Sequence, residues 1–252
     1  RVLLTCRTDG AYVLLVEVGQ KDEREQQEEL DKQVLSIVEE DVTHVRIERA
    51  LGAVEIEERA GDLGEEWWIV APYEAPADPP AARGVARTAA ILEERRVLEE
   101  AAEDLGQYGL DDPALVITVT ADGLEAPVVM RIGGETGSKD GRYLQIEGES
   151  EIRIVPTHQV RSLDKGVDDL RDRRLVRFGV GSATRIQITA PTGPVDLLRA
   201  DGVWRVGGAE GPRADRRAVE DLLADLTTTR VQRFRDGDDP TLMLDEPVRT
   251  LT

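Results

Sequence analysis

The residues of this 252-residue chain whose side chains could do chemistry are few and far apart. The only two histidines are His44 and His158, and the only cysteine is Cys6. Neither histidine has a second His or a Cys at the short spacing from which zinc sites are built. The chain also contains no Gly-x-Ser-x-Gly sequence to hold a nucleophilic serine on a sharp turn. The sequence therefore predicts no zinc centre and no serine-hydrolase triad, and we expect no cofactor.

Two short stretches resemble ligand-binding loops but lack part of the motif. Residues 133–141 read GGETGSKDG, which departs from the phosphate-binding pattern Gly-x-x-x-x-Gly-Lys-Ser/Thr, so we predict a hairpin loop. Residues 236–239 read DGDD without the twelve-residue loop and closing Glu of a calcium site, so we predict an acidic surface turn. Glycoside hydrolysis needs two carboxylates at a defined separation, which the sequence alone does not give, so a hydrolase remains a third alternative.

Three aromatic residues are the candidate contacts for a partner or ligand: Trp67, Tyr73 and Tyr143. Aromatic residues make up only 4% of the chain, so the neighbouring Trp67 and Trp68 stand out. Successive side chains of a strand point to opposite faces, so Trp67 should face outward if Trp68 packs in the core. An exposed Trp67 beside Tyr73 would suit a protein surface or a sugar ring.

The elements that must position these residues occur twice along the chain. Three landmarks return at nearly one spacing: Trp68 as Trp204, Asp78 as Asp215, and Pro113 as Pro247. The separations are 136, 137 and 134 residues, and self-similarity of this kind is typical of repeated structural units. We therefore predict two tandem copies of one unit. Their structural signature residues are Trp68, Asp78, Leu110, Asp111 and Pro113 in the first copy and Trp204, Asp215, Leu244, Asp245 and Pro247 in the second.

Each copy has the pattern of three antiparallel strands followed by a helix. In the second copy, alternating segments around residues 185–189, 195–199 and 203–206 are joined by Gly-containing turns, which is the hairpin pattern. Asp215 then caps a helix with an apolar stripe, and Asp78 does the same in the first copy. The two stripes consist of Val219, Leu222, Leu223 and Leu226, and of Ala82, Val85, Ala86, Ala89 and Leu92.

The predicted fold class is therefore α+β, with two tandem copies of an antiparallel strand-strand-strand-helix unit. Further short strands are predicted in the first copy after Pro113, and the second copy is expected to be incomplete at its C-terminus. We predict three segments along the chain: a membrane-proximal segment with an acidic linker helix at 1–40, a first repeat domain at 41–175, and a second, truncated repeat domain at 176–252.

Charge and the N-terminal sequence limit the partners. A net charge of −19 disfavours binding to nucleic acid and to an anionic membrane surface. Residues 11–16 are apolar like the end of a membrane helix, but Arg7 and Asp9 interrupt the run, and a span needs about 20 apolar residues. Residues 21–40 are predicted as a helix or stalk, or more simply as a solvated acidic helix. We expect residues 1–40 to tether the chain to a membrane subunit or another copy; alternatively, residues 11–16 are a core strand.

The order of several short motifs resembles a known bacterial family. The motifs are strand tryptophans at 68–70 and 204–206, Ala-Asp before a helix at 77–78 and 214–215, YGLDDP at 108–113, Ile-Gly at 132–133, and Gly-Arg-Tyr at 141–143. Together they resemble the bacterial domain of unknown function 4340, over roughly residues 11–252. No catalytic residue is established for this family, so the resemblance transfers no site residue to this chain.

The resemblance implies a place in the bacterial envelope. Members of the family are usually anchored by one N-terminal membrane helix, carry the repeats outside the cytoplasm, and are often encoded beside gliding-type ABC transporter genes. We therefore expect a non-enzymatic accessory or scaffold protein at the bacterial inner membrane, with its repeats on the periplasmic side. Its expected partners are protein subunits of a membrane complex, including further copies of itself. The alternative is a glycan- or peptide-binding module that uses Trp67, Tyr73 and Tyr143.

Overall fold

Antiparallel strands and helices make up both compact parts of the molecule. The computed structural model describes residues 2–6, 12–16, 32–35, 37–61, 64–234 and 250–251. The chain divides into two compact units, Arg1–Asp172 and Arg173–Thr252. Within the described residues both units combine antiparallel sheets with helices, so the predicted α+β class is confirmed.

The first unit is built on a nine-stranded antiparallel sheet. It is preceded by β1 (Val2–Cys6) and β2 (Tyr12–Val16), which pair with each other in a separate two-stranded sheet. The strands of the large sheet are β3 (Val42–Arg49), β4 (Gly52–Gly61), β5 (Gly64–Ala71), β6 (Ala75–Pro76), β7 (Arg96–Glu99), β8 (Leu115–Ala121), β9 (Val128–Glu135), β10 (Gly141–Ile146) and β11 (Ile152–Pro156). Their order across the sheet is β6-β5-β4-β3-β8-β9-β10-β11-β7.

Helices of the first unit cover part of this sheet. They are α1 (Pro79–Ala90), α2 (Thr157–Leu163) and α3 (Val167–Leu170), with 3-10 turns at Glu39–Asp41 and Gly106–Tyr108. Helix α1 packs against β3 and β5 and also contacts α2.

The second unit has a smaller sheet and one longer helix. Its strands are β12 (Arg185–Thr189), β13 (Val195–Ala200), β14 (Val203–Val206) and β15 (Thr250–Leu251), and its helix is α4 (Arg216–Thr228). The strand order is β14-β13-β12-β15, with antiparallel pairing throughout. A 3-10 turn at Val180–Ser182 precedes β12.

Helix α1 begins and packs as its sequence predicts. The Asp78 side chain accepts a hydrogen bond from the Ala81 amide at 3.0 Å, which satisfies one of the free amides of the first turn. Proline follows at the first helical position, where its missing N–H costs nothing. The buried face is made almost entirely of small residues: Ala82, Val85, Ala86, Ala89 and Ala90. The predicted cap and stripe are confirmed for α1, with Leu92 buried just beyond the helix end.

Helix α4 uses the same local chemistry in the second unit. Asp215 accepts hydrogen bonds from the amides of Arg217, at 2.9 Å, and Ala218, at 3.3 Å. Val219 and Leu223 are buried against the sheet, while the other two stripe leucines are half-buried. The predicted cap of the second helix is therefore confirmed as well.

Among the described residues, the main hydrophobic core of the first unit lies between α1 and the large sheet, where α1 packs against β3 and β5. Strand β8 alternates strictly, with every odd-numbered residue from Leu115 to Ala121 buried. Val45 and Ile47 of β3 lie opposite Ile56 and Val54 of β4, and all four are fully enclosed. Burying a side chain of this size contributes about 1.5–3 kcal/mol, so these central pairs hold the sheet to the helix.

The predicted orientation of the two adjacent tryptophans is wrong. Trp67 is only 3% exposed and shares the buried face of β5 with Ile69, two residues later. Trp68 is half-buried on the other face, with the guanidinium of Arg59 5.9 Å from its ring centre. The period of two is correct, but its phase is reversed, because the face that α1 covers is the Trp67 face.

Residues 32–35 and 37–40 belong to the fold of the first unit, and none of these described residues is in an α-helix. Gln33 bridges to Glu93, the Val34 amide donates to the Leu92 carbonyl at 2.7 Å, and Leu35 is buried in the core at 6% exposure. The helix predicted over 21–40 is therefore wrong for the described residues of 32–40, because Val34, Leu35 and Ile37 each pack onto the core. Residues 21–31 lie outside the described residues.

The apolar run at 11–16 also differs from the predicted helix end. Residues Tyr12–Val16 form strand β2, since a run of this length is far too short for a span and its Tyr and Val residues favour extended backbone. None of the helices in the described ranges has the length and apolarity that crossing a membrane requires.

Candidate functional site

Several residues of the predicted family motifs meet between β9 and the 3-10 turn Gly106–Tyr108. A Cβ atom on Gly133 would lie 2.2 Å from the Tyr108 carbonyl oxygen, so only glycine fits at this point. Gly109 has a φ of 66°, in the left-handed region that favours glycine, and Leu110 behind it is fully buried. These motif residues therefore allow two backbone segments to touch.

The Gly-Arg-Tyr motif on β10 completes the same cluster. The Arg142 guanidinium donates two hydrogen bonds to the Gly133 carbonyl oxygen, from Nε at 2.9 Å and Nη2 at 2.7 Å. The rings of Tyr108 and Tyr143 lie 4.9 Å apart with a tilt of 58°. The Tyr108 hydroxyl donates to Glu99 Oε2 at 2.8 Å, and this hydrogen bond raises the pKa of Tyr108. The motif thus joins β7, the 3-10 turn, β9 and β10, which is a structural role.

The glycine-rich stretch 133–141 is a hairpin between β9 and β10, as predicted. Its loop is closed by side chains: the Ser138 hydroxyl and the Arg95 guanidinium both donate to the Asp140 carboxylate. The hydrogen bonds from Ser138 and then Arg95 lower the pKa of Asp140 from 3.8 to about 2. The side chains of Thr136, Ser138 and Asp140 are therefore bonded to one another or to Arg95.

The three aromatic candidates do not come together. Trp67 is buried on β5, whereas Tyr143 is half-buried on β10, and four strands separate β5 from β10 in the sheet. At about 4.8 Å per strand spacing this corresponds to roughly 24 Å. The Tyr73 hydroxyl accepts a hydrogen bond from Arg171 at 3.2 Å, and the same guanidinium stacks on the ring at 5.2 Å. These residues therefore form no shared aromatic shelf for a sugar.

The remaining signature residues take part in a turn or lie outside the described residues. The Asp111 carboxylate accepts a hydrogen bond from the Asp112 amide at 3.0 Å, and Pro113 is half-buried two residues before β8. This is the predicted turn chemistry. Leu244, Asp245 and Pro247 fall outside the described residues, as does the acidic stretch 236–239.

The histidines stand on separate elements. His44 lies on β3 with its Nε2 3.4 Å from Glu55 Oε2, and His158 lies in α2. Within the part of the chain that the structure describes, no three His, Cys, Asp or Glu side chains are grouped so as to hold a metal ion.

A charged cleft opens beside the buried tryptophan of the first unit. This Trp67 cleft has a volume of about 210 Å³ and is lined by Glu39, Glu40, Glu58, Glu65, Trp67, Arg83 and Ala86. Burial raises the pKa of the Glu58 carboxyl, and the negative charge of Glu65 raises it further. Arg83 and a hydrogen bond with Trp67 act in the opposite direction. Four carboxylates against one guanidinium make this cleft negative.

A second charged cleft opens beside the buried tryptophan of the second unit. This Trp204 cleft has a volume of about 340 Å³ and is lined by Arg199, Gly202, Val203, Trp204, Arg213, Ala214, Arg216 and Glu220. Arg199 Nη1 donates to the Gly181 carbonyl oxygen at 2.9 Å, and Arg216 Nε pairs with Glu220 at 2.7 Å. Three guanidiniums against one carboxylate make this cleft positive.

The two clefts have opposite charges at corresponding positions. Glu58 lies directly across the strand pair from Trp67, and Arg199 lies directly across from Trp204. On the helices, Arg83 and Glu220 are each the fifth residue after the capping aspartate. The first unit thus has an acid on the strand and a base on the helix, and the second unit has the reverse. Glu58 and Arg199 could not be recognised from the sequence, because only the strand register pairs them with the tryptophans. The positions of Arg83 and Glu220 relative to the capping aspartates, in contrast, are visible in the sequence.

A larger cavity in the second unit is mostly apolar. It measures about 410 Å³ and lies between α4, β12 and the segment before β12, with Phe178, Ile186, Leu223 and Leu226 in its wall. Its one charged lining residue, Arg185, makes a bidentate pair with Asp196. The cavity therefore has no unpaired charged side chain in its wall, and the charged clefts are the better candidates for binding a partner.

The protein is therefore of the α+β class with antiparallel sheets. The nine-stranded sheet and the sheet of the second unit each have a charged cleft beside a buried tryptophan and a helix. A family model described as a domain of unknown function (DUF4340) matches residues 67–247, so the chain belongs to this family. Comparisons with curated proteins and with solved structures give no match. The match begins at Trp67 and includes both capping aspartates, the Tyr108–Tyr143 cluster and the Trp204 cleft.

Proposed function

We propose that this protein is a non-enzymatic accessory or scaffold component of a bacterial envelope complex. Its two units would lie on the extracytoplasmic side of the inner membrane, in association with an ABC-transporter or gliding-type machinery. The location and the association with a transporter or gliding machinery are inferred from the family to which the chain belongs. The partners would be protein subunits of that complex, including other copies of the chain.

The observation that carries the proposal is the use made of the family motifs. Tyr108 and Gly109 contact Gly133, and the Tyr108 ring packs on Tyr143, so these contacts join the 3-10 turn to β9 and β10. The Tyr108 hydroxyl bonds to Glu99 of β7 and the Gly133 carbonyl oxygen to Arg142, so these groups serve the framework and not a reacting centre. Because the family motifs stabilise the fold, they support a scaffold function in preference to an enzymatic one.

We also propose that the two units are tandem copies of one structural unit. In the first unit the Ala77 amide donates to the Trp67 carbonyl at 3.0 Å, and in the second the Ala214 amide donates to the Trp204 carbonyl at 2.8 Å. Each contact brings the strand that carries the tryptophan to the residue before the capping aspartate. Matching Trp204 with Trp67, in place of Trp68, gives the same separation of 137 residues as the two caps.

The charged clefts favour protein partners. A scaffold binds several surfaces, and specificity between them is obtained from complementary charge. Two clefts of opposite charge beside equivalent tryptophans would let the two copies contact different partners. We propose that the part of the chain before residue 32 tethers the protein to a membrane subunit, because Leu35 already packs in the core of the first unit.

The test is affinity purification from native membranes with the 252-residue chain as bait and the chain 32–252 as a matched bait. We expect membrane-complex subunits to co-purify with the 252-residue chain and to be depleted with 32–252. Recovery of the same subunits by both baits would contradict the tether. Absence of any membrane subunit with the 252-residue chain, together with turnover of a small substrate, would contradict the scaffold role.

A further inference from the structure

We propose that the Trp204 cleft binds an acidic peptide segment of a partner protein, with Arg199, Arg213 and Arg216 pairing with its carboxylates. The chemistry is that of guanidinium groups, which bind carboxylates through two parallel N–H donors. Because it names the kind of surface that one cleft recognises, this inference rests on the proposed role as a protein-binding scaffold.

The cleft is an exception to the charge of the molecule. The chain carries a net charge of −19, yet the cleft lining has three arginines and one glutamate. In the first unit the residue across from the tryptophan is Glu58; here it is Arg199. A positive cleft in a negative chain attracts acidic groups locally, while the rest of the surface repels them.

The contacts within the cleft leave hydrogen-bond donors available. Arg199 donates to a neutral carbonyl oxygen, which leaves its positive charge uncompensated. Arg216 pairs with Glu220 through Nε, and its two Nη nitrogens make no hydrogen bond or ion pair with another described residue. The Arg213 side chain has no hydrogen bond or ion pair with a described residue. An arginine has five donors, so these groups can bind a carboxylate without breaking existing contacts.

The size and exposure of the cleft suit a short peptide segment. Its volume of about 340 Å³ is at the lower end of the range, about 300–1,000 Å³, over which ligand sites occur. The Arg216 side chain is 85% exposed, so a protein surface can reach it, while Trp204 at 7% exposure forms a rigid apolar floor. A nucleic acid would meet the negative charge of the whole chain over many phosphates, whereas a peptide need bring only one or two carboxylates.

The test is a fluorescence-anisotropy titration of the 252-residue chain with a labelled hexaglutamate peptide, with hexaglutamine as the neutral control probe. We expect hexaglutamate to bind at low salt and to weaken as salt is raised. The double variant Arg199→Gln with Arg216→Gln removes two exposed guanidiniums that would pair with the peptide carboxylates. It should weaken binding about tenfold.

Two variants keep this test independent of folding. Arg217→Gln is the matched control, because Arg217 is adjacent on the same helix and 91% exposed but does not line the cleft; its binding should change by less than about twofold. Glu220→Gln removes the carboxylate that competes for Arg216, so it should tighten binding by about twofold to fivefold. A misfolded variant would not bind more tightly.

Equal losses for Arg217→Gln and the double variant, or weaker binding by Glu220→Gln, would overturn the proposal. So would the absence of hexaglutamate binding at low salt, or competition by millimolar inorganic phosphate as strong as that by the peptide. The titration uses no membrane partner. Its failure therefore rejects the cleft alone, while failure of the scaffold role would appear in the affinity purification.

Discussion

At the scale of single residues, the contact between Gly133 and the Tyr108–Gly109 backbone is the tightest in the family-motif cluster. A Cβ added at Gly133 would lie 2.2 Å from the Tyr108 carbonyl oxygen and 3.0 Å from that of Gly109. Both atoms are backbone, so neither can rotate away. Side-chain plasticity cannot relieve such a clash, and one segment must move.

We predict that Gly133→Ala lowers the free energy of unfolding by about 1–3 kcal/mol, as for other overpacking substitutions. Urea denaturation measures the change. Gly137→Ala is the matched control, because a Cβ there would meet nothing within 4 Å in the same hairpin. If both variants unfold at the same urea concentration as the wild type, the cluster does not hold β9 to the turn.

Asp140 gives the same hairpin a pH dependence. Its pKa of about 2 in the folded chain, against an ordinary value of 3.8, means that the folded state holds its proton less tightly than the unfolded state. The stabilisation is therefore present above pH 3.8 and is lost as the pH falls towards 2.

We predict that the stability difference between the wild type and Asp140→Asn is constant above about pH 5 and shrinks below about pH 4. Urea denaturation at a series of pH values measures this difference. Asp112→Asn, at an exposed turn residue, is the matched control for the removal of one surface carboxylate. A difference that grows on acidification would mean that Asp140 is not held as a carboxylate.

At the scale of elements, the start of a helix is determined by the residue that caps it. The helices of both units are capped in the same way, by an aspartate. Asp78 accepts from one amide of the first turn and Asp215 from two. Both aspartates have extended backbone, as a capping residue requires.

We predict that Asp78→Ala and Asp215→Ala each lower the free energy of unfolding by about 1 kcal/mol, which thermal or urea denaturation will resolve. Asp78→Ser and Asp215→Asn keep a capping oxygen and should restore most of the loss. An alanine variant that binds partners poorly with an unchanged melting temperature would mean that the aspartate contacts a partner.

Features that depend on neighbouring residues could be predicted from the sequence, and features that depend on contacts between distant segments could not. The caps, the helix stripes and the hairpin at 133–141 depend on residues within a few positions of one another, and all were predictable. The inward face of β5 depends on which side α1 covers, a contact between distant segments, so Trp67 and Trp68 were interchanged. The clefts were missed for a related reason, because the strand register alone joins Arg199 to Trp204.

At the scale of the whole molecule, the first unit begins earlier than its charge pattern suggests. The Val34 amide bonds to Leu92, the Glu94 amide bonds to the Lys32 carbonyl, and both distances are 2.7 Å. Leu35 lies in the core between them, although it follows a stretch dominated by Glu and Gln. A boundary chosen from acidity alone, at residue 41, would cut through this packing.

We therefore predict that the chain 32–252 keeps the melting temperature of the 252-residue chain, whereas 41–252 is less stable by about 2–5 kcal/mol, which is what removing one buried leucine costs. Differential scanning calorimetry of the three chains tests this, since the lost burial must lower the unfolding transition of the first unit. Within 32–252, Leu35→Ala should reproduce much of the loss, while Val38→Ala, at a residue 55% exposed, should not. If 41–252 melts with 32–252, residues 32–40 contribute nothing to the core, and the tether would then extend to residue 40.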